Sequence, residues 1–182
     1  DAIMAIHNGF RVDMARIDVA AHESARGNKE FSPIIERFRF FNEMLAWHAH
    51  GEELVIFPAV EVVAPLVAEA YERDHRGLDA AFNTLNVAVS ANDVLATARA
   101  TAAFKFHLDI HLEKEDTHLY RIVRERVSMS DQGKAVGIMA NQVPKERFPE
   151  FVSWLYPLLD HSDRENMIRI KQMVMPPELF EQ

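Results

Sequence analysis

Apolar side chains recur every three or four residues along most of the chain, a spacing that gathers them on one face of an α-helix. The chain has only 6 glycines and few runs of β-branched residues, so strands are not favoured. On the first predicted helix the apolar face consists of Ile3, Ile6, Phe10, Met14, Ile17 and Ala21. The pattern therefore predicts an all-α protein.

Turn residues and prolines divide this pattern into four long helices, at about residues 1–24, 32–57, 65–90 and 92–128. Ser32 and Asn92 are the expected N-caps, Pro33 suits a first helical turn, and Pro58 is expected to bend or break the second helix. The rest of the chain is expected to form short helices separated by Pro144, Pro149, Pro157, Pro176 and Pro177. We therefore predict four long helices followed by a helical extension.

Composition narrows the range of functions. The 182 residues suit one domain with a sizeable core, and the net charge of -8 without a basic stripe argues against nucleic acid as a partner. The absence of cysteine excludes disulfides, thiolate metal sites and cysteine nucleophiles, so any metal must be bound through nitrogen and oxygen. No apolar run reaches the ~18–20 residues of a membrane span, and no signal peptide is visible, so a cytoplasmic location without membrane contact is expected.

Two histidine–glutamate pairs stand out inside the predicted helices. His48 precedes Glu52 by four residues, and His111 precedes Glu115 by four. Four residues is about one helical turn, so each imidazole lies on the same face as its carboxylate. His107 is predicted to share the inward face of the fourth helix with His111 and Glu115.

The first and third helices each add a histidine at the edge of the apolar face, His7 and His75. Ligands gathered from several helices are typical of a metal site in the core of a bundle. Imidazole and carboxylate without thiolate suit iron or manganese, and zinc is an alternative. Two metals would need bridging carboxylates, for which Glu52 and Glu115 are the natural candidates.

Two other interpretations use the same residues. Glu72 with His75, and Glu115 with His118, match the Glu-x-x-His motif of ferritin-like di-metal proteins. Glu72 lies far from the centre of its apolar face, which weighs against that template. In the other interpretation the histidines are packed in the core without metal, and the bundle acts through its surface.

The ordered set His7, His48-x-x-x-Glu52, Phe57-Pro58, His75 and His111-x-x-x-Glu115 resembles the hemerythrin-like family, also called the HHE cation-binding domain. The resemblance covers residues 1–128 and implies an up-down four-helix bundle, with residues 129–182 as a helical extension packed on it. It also implies two iron ions joined by an oxo or hydroxo group. Histidines would cap each iron, Glu52 and Glu115 would bridge them, and one position would stay open for O2, NO or peroxide.

The chain departs from the oxygen carriers of that family. Their third helix has a second histidine four residues after the first, where this chain has Asp79. Their fourth helix has an aspartate five residues after its histidine; Asp116 has that spacing, but a regular helix turns it to the opposite side from Glu115. His107 or His118 could supply a missing ligand.

The resemblance favours a di-iron protein that binds or senses O2 or NO. The alternative is a di-iron enzyme acting on peroxide or NO, with His107 or His118 as proton donor. The extension could form a homodimer surface or a lid over the site.

Overall fold

The structure is a computed structural model that describes residues 2–27 and 30–174. The predicted all-α fold is confirmed, and the described residues contain no strand. The α-helices are α1 (Ala2–Ala25), α2 (Ser32–Gly51), α3 (Phe57–Val63), α4 (Val67–Ser90), α5 (Val94–Lys114), α6 (Tyr120–Arg126), α7 (Met129–Ala140), α8 (Phe148–Leu155) and α9 (His161–Val174).

Two π-helical turns join consecutive helices into longer rods. Glu52–Ile56 connects α2 to α3, and Glu115–Leu119 connects α5 to α6. A π turn closes its hydrogen bonds over five residues rather than four, so it changes the direction in which the following side chains point. Pro58 does not break the second rod, since it lies in the first turn of α3, where a missing N–H is tolerated. The predicted alternative, a bend at Pro58, stays a prediction.

Both predicted N-caps are wrong. Ser32 lies inside α2, whose N-cap is Phe31 without a side-chain hydrogen bond. Asn92 has a φ of 54° in the left-handed region and follows Ala91, the C-cap of α4. The N-cap of α5 is therefore Asp93, whose carboxylate accepts a hydrogen bond from the backbone N–H of Ala96.

Two apolar clusters fill the core of the bundle. The large cluster includes the fully buried rings of Phe10, Phe41 and Phe104 together with Leu108. The small cluster includes Ile3, Ile56, Phe57, Tyr71 and Leu119.

The four long rods run alternately up and down between these clusters. Along α1 the small-cluster residue Ile3 precedes the large-cluster residue Phe10, whereas along the second rod Phe41 precedes Ile56. The α4 helix repeats the order of α1, and the rod from α5 to α6 repeats that of the second. The α1 helix packs against α2 and α5, and α4 packs against α3 and α5. A layer between the two clusters therefore receives side chains from all four rods.

The last three helices lie against this bundle. The α7 helix packs on α2 and the first π turn, and α9 packs on α1. On α8 the ring of Trp154 lies 5.3 Å from that of Phe10, and its N–H donates to the buried carboxylate of Asp13 on α1.

The division into residues 1–128 and 129–182 stays a prediction, as does a homodimer. Pro144, Pro149 and Pro157 each lie at the start of a short helical segment, whereas Pro176 and Pro177 lie outside the described residues. Among the described helices, none combines the length and the apolar character needed to cross a membrane.

Candidate metal centre

The layer between the two apolar clusters contains six predicted ligands, all buried: His7, His48, Glu52, His75, His111 and Glu115. They form two groups, each with ligand atoms within 4.8 Å of one another. The first group is His7 and His48 with both glutamates, and the second is His75 and His111 with the same glutamates. We call these the His7–His48 position and the His75–His111 position.

Glu52 directs one oxygen to each histidine pair. Its Oε1 is 3.3 Å from Nε2 of His48 and 3.9 Å from Nε2 of His7. Its Oε2 is 3.5 Å from Nε2 of His75. A carboxylate placed in this way can contribute one oxygen to each of two metals.

Glu115 has the same relation to the two pairs. Its Oε2 is 3.6 Å from Nε2 of His7, and its Oε1 is 3.2 Å from Nε2 of His111 and 3.7 Å from Nε2 of His75. The Nε2 atoms of His7 and His48 are 2.8 Å apart, so both rings point at the same place.

Several inward atoms of the centre have no hydrogen-bond partner within the described residues. They are Oε2 of Glu52, Nε2 of His75 and both carboxylate oxygens of Glu115. A buried polar atom without a partner costs about 1–3 kcal/mol, so a group of them in one place is unfavourable unless something binds there. These are the atoms that face across the centre, and nitrogen and oxygen are good ligands for first-row metals. The residues therefore fit a metal centre.

The pKa values of the two shared carboxyl groups, Glu52 and Glu115, respond differently to their surroundings. Burial, together with the charge of Glu52, raises the pKa of Glu115 well above its ordinary value. Burial also acts to raise the pKa of Glu52, but the charge and hydrogen bonding of His48, and then of His75, hold it well below that value. The pKa values of the two carboxyl groups are thus shifted in opposite directions.

The histidines of the His75–His111 position also differ from each other. Burial acts to lower the pKa of His75, but the proximity of Glu115 and Glu52 outweighs it and raises the pKa to about 11. Burial lowers the pKa of His111 to about 3, with the charge of His75 as a further cause. At neutral pH the metal-free protein therefore holds a protonated His75 beside a neutral His111.

Two further carboxylates contact the outward nitrogens of metal-facing histidines. Asp116 Oδ1 accepts a hydrogen bond of 2.7 Å from Nδ1 of His7, and its Oδ2 accepts one of 2.7 Å from Arg11. Glu53 Oε1 lies 2.8 Å from Nδ1 of His75. Fixing the outward nitrogen leaves Nε2 free to face the metal.

The prediction that Asp116 points away from the site is wrong. Asp116 is only 8% exposed, because the π turn that begins at Glu115 brings the residue five positions after His111 back towards the bundle. The Glu53 side chain is 46% exposed and still reaches His75.

The prediction that His107 belongs to the site is also wrong, because His107 is exposed. The inward face of α5 is centred between His111 and Leu112, so Leu108 takes the inward position one turn earlier and His107 falls outside it. His118, Asp79 and Glu72 are exposed as well, which removes the ferritin-like template and the other candidates for an extra ligand. None of these residues belongs to either ligand group.

One residue of the centre was missed. Tyr120 is buried, its O–H donates to Oε1 of Glu52 over 2.5 Å, and its ring lies 5.7 Å from that of His7. Burial and the charge of Glu52 raise its pKa well above the ordinary value, so the group is a neutral donor. Tyr120 follows Glu115 by five residues, a spacing that places the two together only across a π turn.

The fold and the site define a helical bundle with a buried centre of paired histidines and two shared carboxylates, able to hold metal. The chain is similar to three proteins of Arabidopsis thaliana. It is 25% identical over 149 residues, 79% of its length, to zinc finger protein BRUTUS. It is 20% identical over 191 residues (90% of its length) to zinc finger protein BRUTUS-like At1g74770, and 22% identical over 202 residues (99%) to zinc finger protein BRUTUS-like At1g18910.

These similarities bear out the predicted resemblance to hemerythrin-like domains. The chain spans only 12%, 15% and 16% of the length of the three relatives. Their names describe zinc finger proteins, but this chain has no cysteine and cannot form a cysteine-ligated finger. No family model and no solved structure matches the chain.

Proposed function

We propose that this chain is a non-haem di-iron protein that binds O2 or NO at its buried centre. The observation that carries the proposal is the shared use of the two glutamates. Each directs one oxygen to the His7–His48 position and the other to the His75–His111 position. A single metal would leave one histidine pair and one oxygen of each carboxylate without a role.

Iron is proposed from the ligand types and from the hemerythrin-like resemblance. Each position offers two imidazole nitrogens and two carboxylate oxygens, a mixture that suits iron or manganese. Zinc in proteins favours a closed tetrahedral site when its role is structural, which would leave no position for a small molecule.

The surroundings favour a small uncharged ligand. Each position would be held by two histidines and the two glutamates, and iron bound there would supply the electrons for binding O2 or NO. The large and small apolar clusters cover the centre on both sides, so bulk water is kept away from it. Tyr120 places a neutral O–H beside the His7–His48 position, where it can hold Glu52 in orientation.

The structure gives less support to the enzyme alternative in the form predicted. Both proposed proton donors, His107 and His118, are exposed and lie outside the ligand groups. Binding without turnover is therefore the function we propose.

Anaerobic loading with ferrous iron tests the proposal. We expect about two irons per chain by elemental analysis, and a stoichiometric change in the visible spectrum on adding O2 or NO. His111→Ala should lower the iron content, whereas His107→Ala, on the same helix but exposed, should not. Continuous turnover of peroxide or NO would favour the enzyme instead. No iron uptake would favour a metal-free bundle, in which His48→Ala and His111→Ala affect only stability.

A further inference from the structure

Each bridging glutamate is followed directly by a second acidic residue. The pairs are Glu52-Glu53 and Glu115-Asp116. In both, the first carboxylate faces the centre and the second reaches the outward nitrogen of a histidine on a different helix. Because this arrangement occurs in two separate parts of the chain, we expect the second carboxylate of each pair to have the same role.

The π turns make the arrangement geometrically accessible. One π turn begins at Glu52 and the other at Glu115. In a regular α-helix consecutive side chains diverge by about 100°, which turns the second away when the first faces the core. The wider turn reduces this divergence, so two successive carboxylates can both reach neighbouring helices.

We infer that Glu53 and Asp116 are positioning residues, each of which orients one histidine so that its Nε2 faces one of the two metals. The inference rests on the proposed function. Asp116 serves the His7–His48 position through His7, and Glu53 serves the His75–His111 position through His75. Because a carboxylate can only accept a hydrogen bond, each outward Nδ1 must carry a hydrogen, which leaves Nε2 for the metal.

The two positioning residues differ in how firmly they hold their histidines. Asp116 is 8% exposed and also accepts a hydrogen bond from Arg11, which is 25% exposed. Glu53 is 46% exposed, so water screens its interaction with His75. The orientation of His7 in the His7–His48 position is therefore fixed more firmly than that of His75 in the His75–His111 position.

Cobalt(II), which suits nitrogen and oxygen ligands and has visible bands that report its geometry, is the probe. The variants are Asp116→Asn and Glu53→Gln. The controls are Glu113→Gln on α5, which is 70% exposed and within 4.0 Å of Arg11, and Glu36→Gln, exposed on α2. His7→Ala and His75→Ala provide reference spectra for a centre with one position damaged.

We expect the unmodified chain to bind two cobalt ions. Asp116→Asn should lower the affinity for one of these ions by about 10- to 100-fold, the usual effect of removing a hydrogen-bond partner of a metal-binding histidine. The spectrum of the cobalt that still binds should match that of His7→Ala. Glu53→Gln should weaken the binding of the other ion by a smaller factor, and its spectrum should resemble that of His75→Ala. Both controls should bind cobalt as the unmodified chain does.

A second measurement uses the metal-free protein. Nitrogen NMR of the imidazole rings should show that Asp116→Asn changes which nitrogen of His7 carries hydrogen. Asp116→Glu, which keeps a carboxylate, should show the same pattern as the unmodified chain.

Binding of both ions with unchanged affinity and spectra in both variants would overturn the inference while leaving the di-metal centre intact. Failure of the unmodified chain to bind cobalt or iron would overturn both proposals. If Asp116→Asn does not fold, Glu53→Gln still decides the matter, because the Glu53 side chain is 46% exposed and His75 keeps Glu52 and Glu115 beside its Nε2.

Discussion

Metal binding to this chain should become tighter as the pH rises from 6 to 8, because a proton must leave His75 before its Nε2 can bind metal. The pKa of His75 in the metal-free protein is raised to about 11, so the ring is protonated throughout this range. If one proton is displaced for each metal bound, the apparent affinity of the His75–His111 position rises tenfold per pH unit. This corresponds to about 1.4 kcal/mol of binding free energy per pH unit. Over two units the expected gain is about 100-fold. His111, with a pKa lowered to about 3, contributes nothing to this slope.

Competition between the protein and a coloured chelator for cobalt(II), at pH 6, 7 and 8, measures the slope directly. Calorimetry in two buffers with different ionisation enthalpies counts the protons released. His75→Ala should lose the proton that His75 releases, and Glu72→Gln, an exposed change on the same helix, should retain it. An affinity that is flat across this range, with no buffer dependence of the heat, would refute the reasoning.

Three further predictions concern the folded protein without metal. Tyr120→Phe should lower the free energy of unfolding by about 1.5–3 kcal/mol in urea denaturation, because Glu52 loses a buried donor; an unchanged midpoint would contradict this. Trp154→Phe should cost about 1–3 kcal/mol by the same assay, since one oxygen of the buried Asp13 is left without its N–H partner. Gly77→Ala in the middle of α4, where a Cβ meets no atom within 4 Å, should instead stabilise by about 0.5–1 kcal/mol, and a loss of stability would show that the site is not open.

The four rods and the six candidate ligands of the centre could be predicted because both follow from one regular period. His48 with Glu52, and His111 with Glu115, are one turn apart within regular or nearly regular helix, so the calculated faces are close to the observed ones. His7 and His75 sit beside apolar residues that alone decide which way α1 and α4 face. Here local sequence and tertiary packing agree.

The parts that were missed lie where the period changes. Asp116 and Tyr120 both belong to or follow the π turn at Glu115–Leu119, and a layout of 100° per residue turns them away from the centre. No residue type in the sequence predicts a π turn, so a regular period cannot locate these two side chains. His107 lies outside the site for a different reason. The sequence predicts an inward face of α5 that includes His107, whereas in the structure Leu108 occupies the inward position.

The contact between Trp154 and Phe10 also gives the molecule a built-in optical probe. The indole ring is 5.3 Å from the ring of Phe10, which is 5.5 Å from that of His48, so one phenyl ring separates a fluorescent group from a candidate metal ligand. A paramagnetic ion bound at the His7–His48 position would lie close enough to quench the emission of Trp154. The filling of the centre could then be followed by light alone, in real time and without a label.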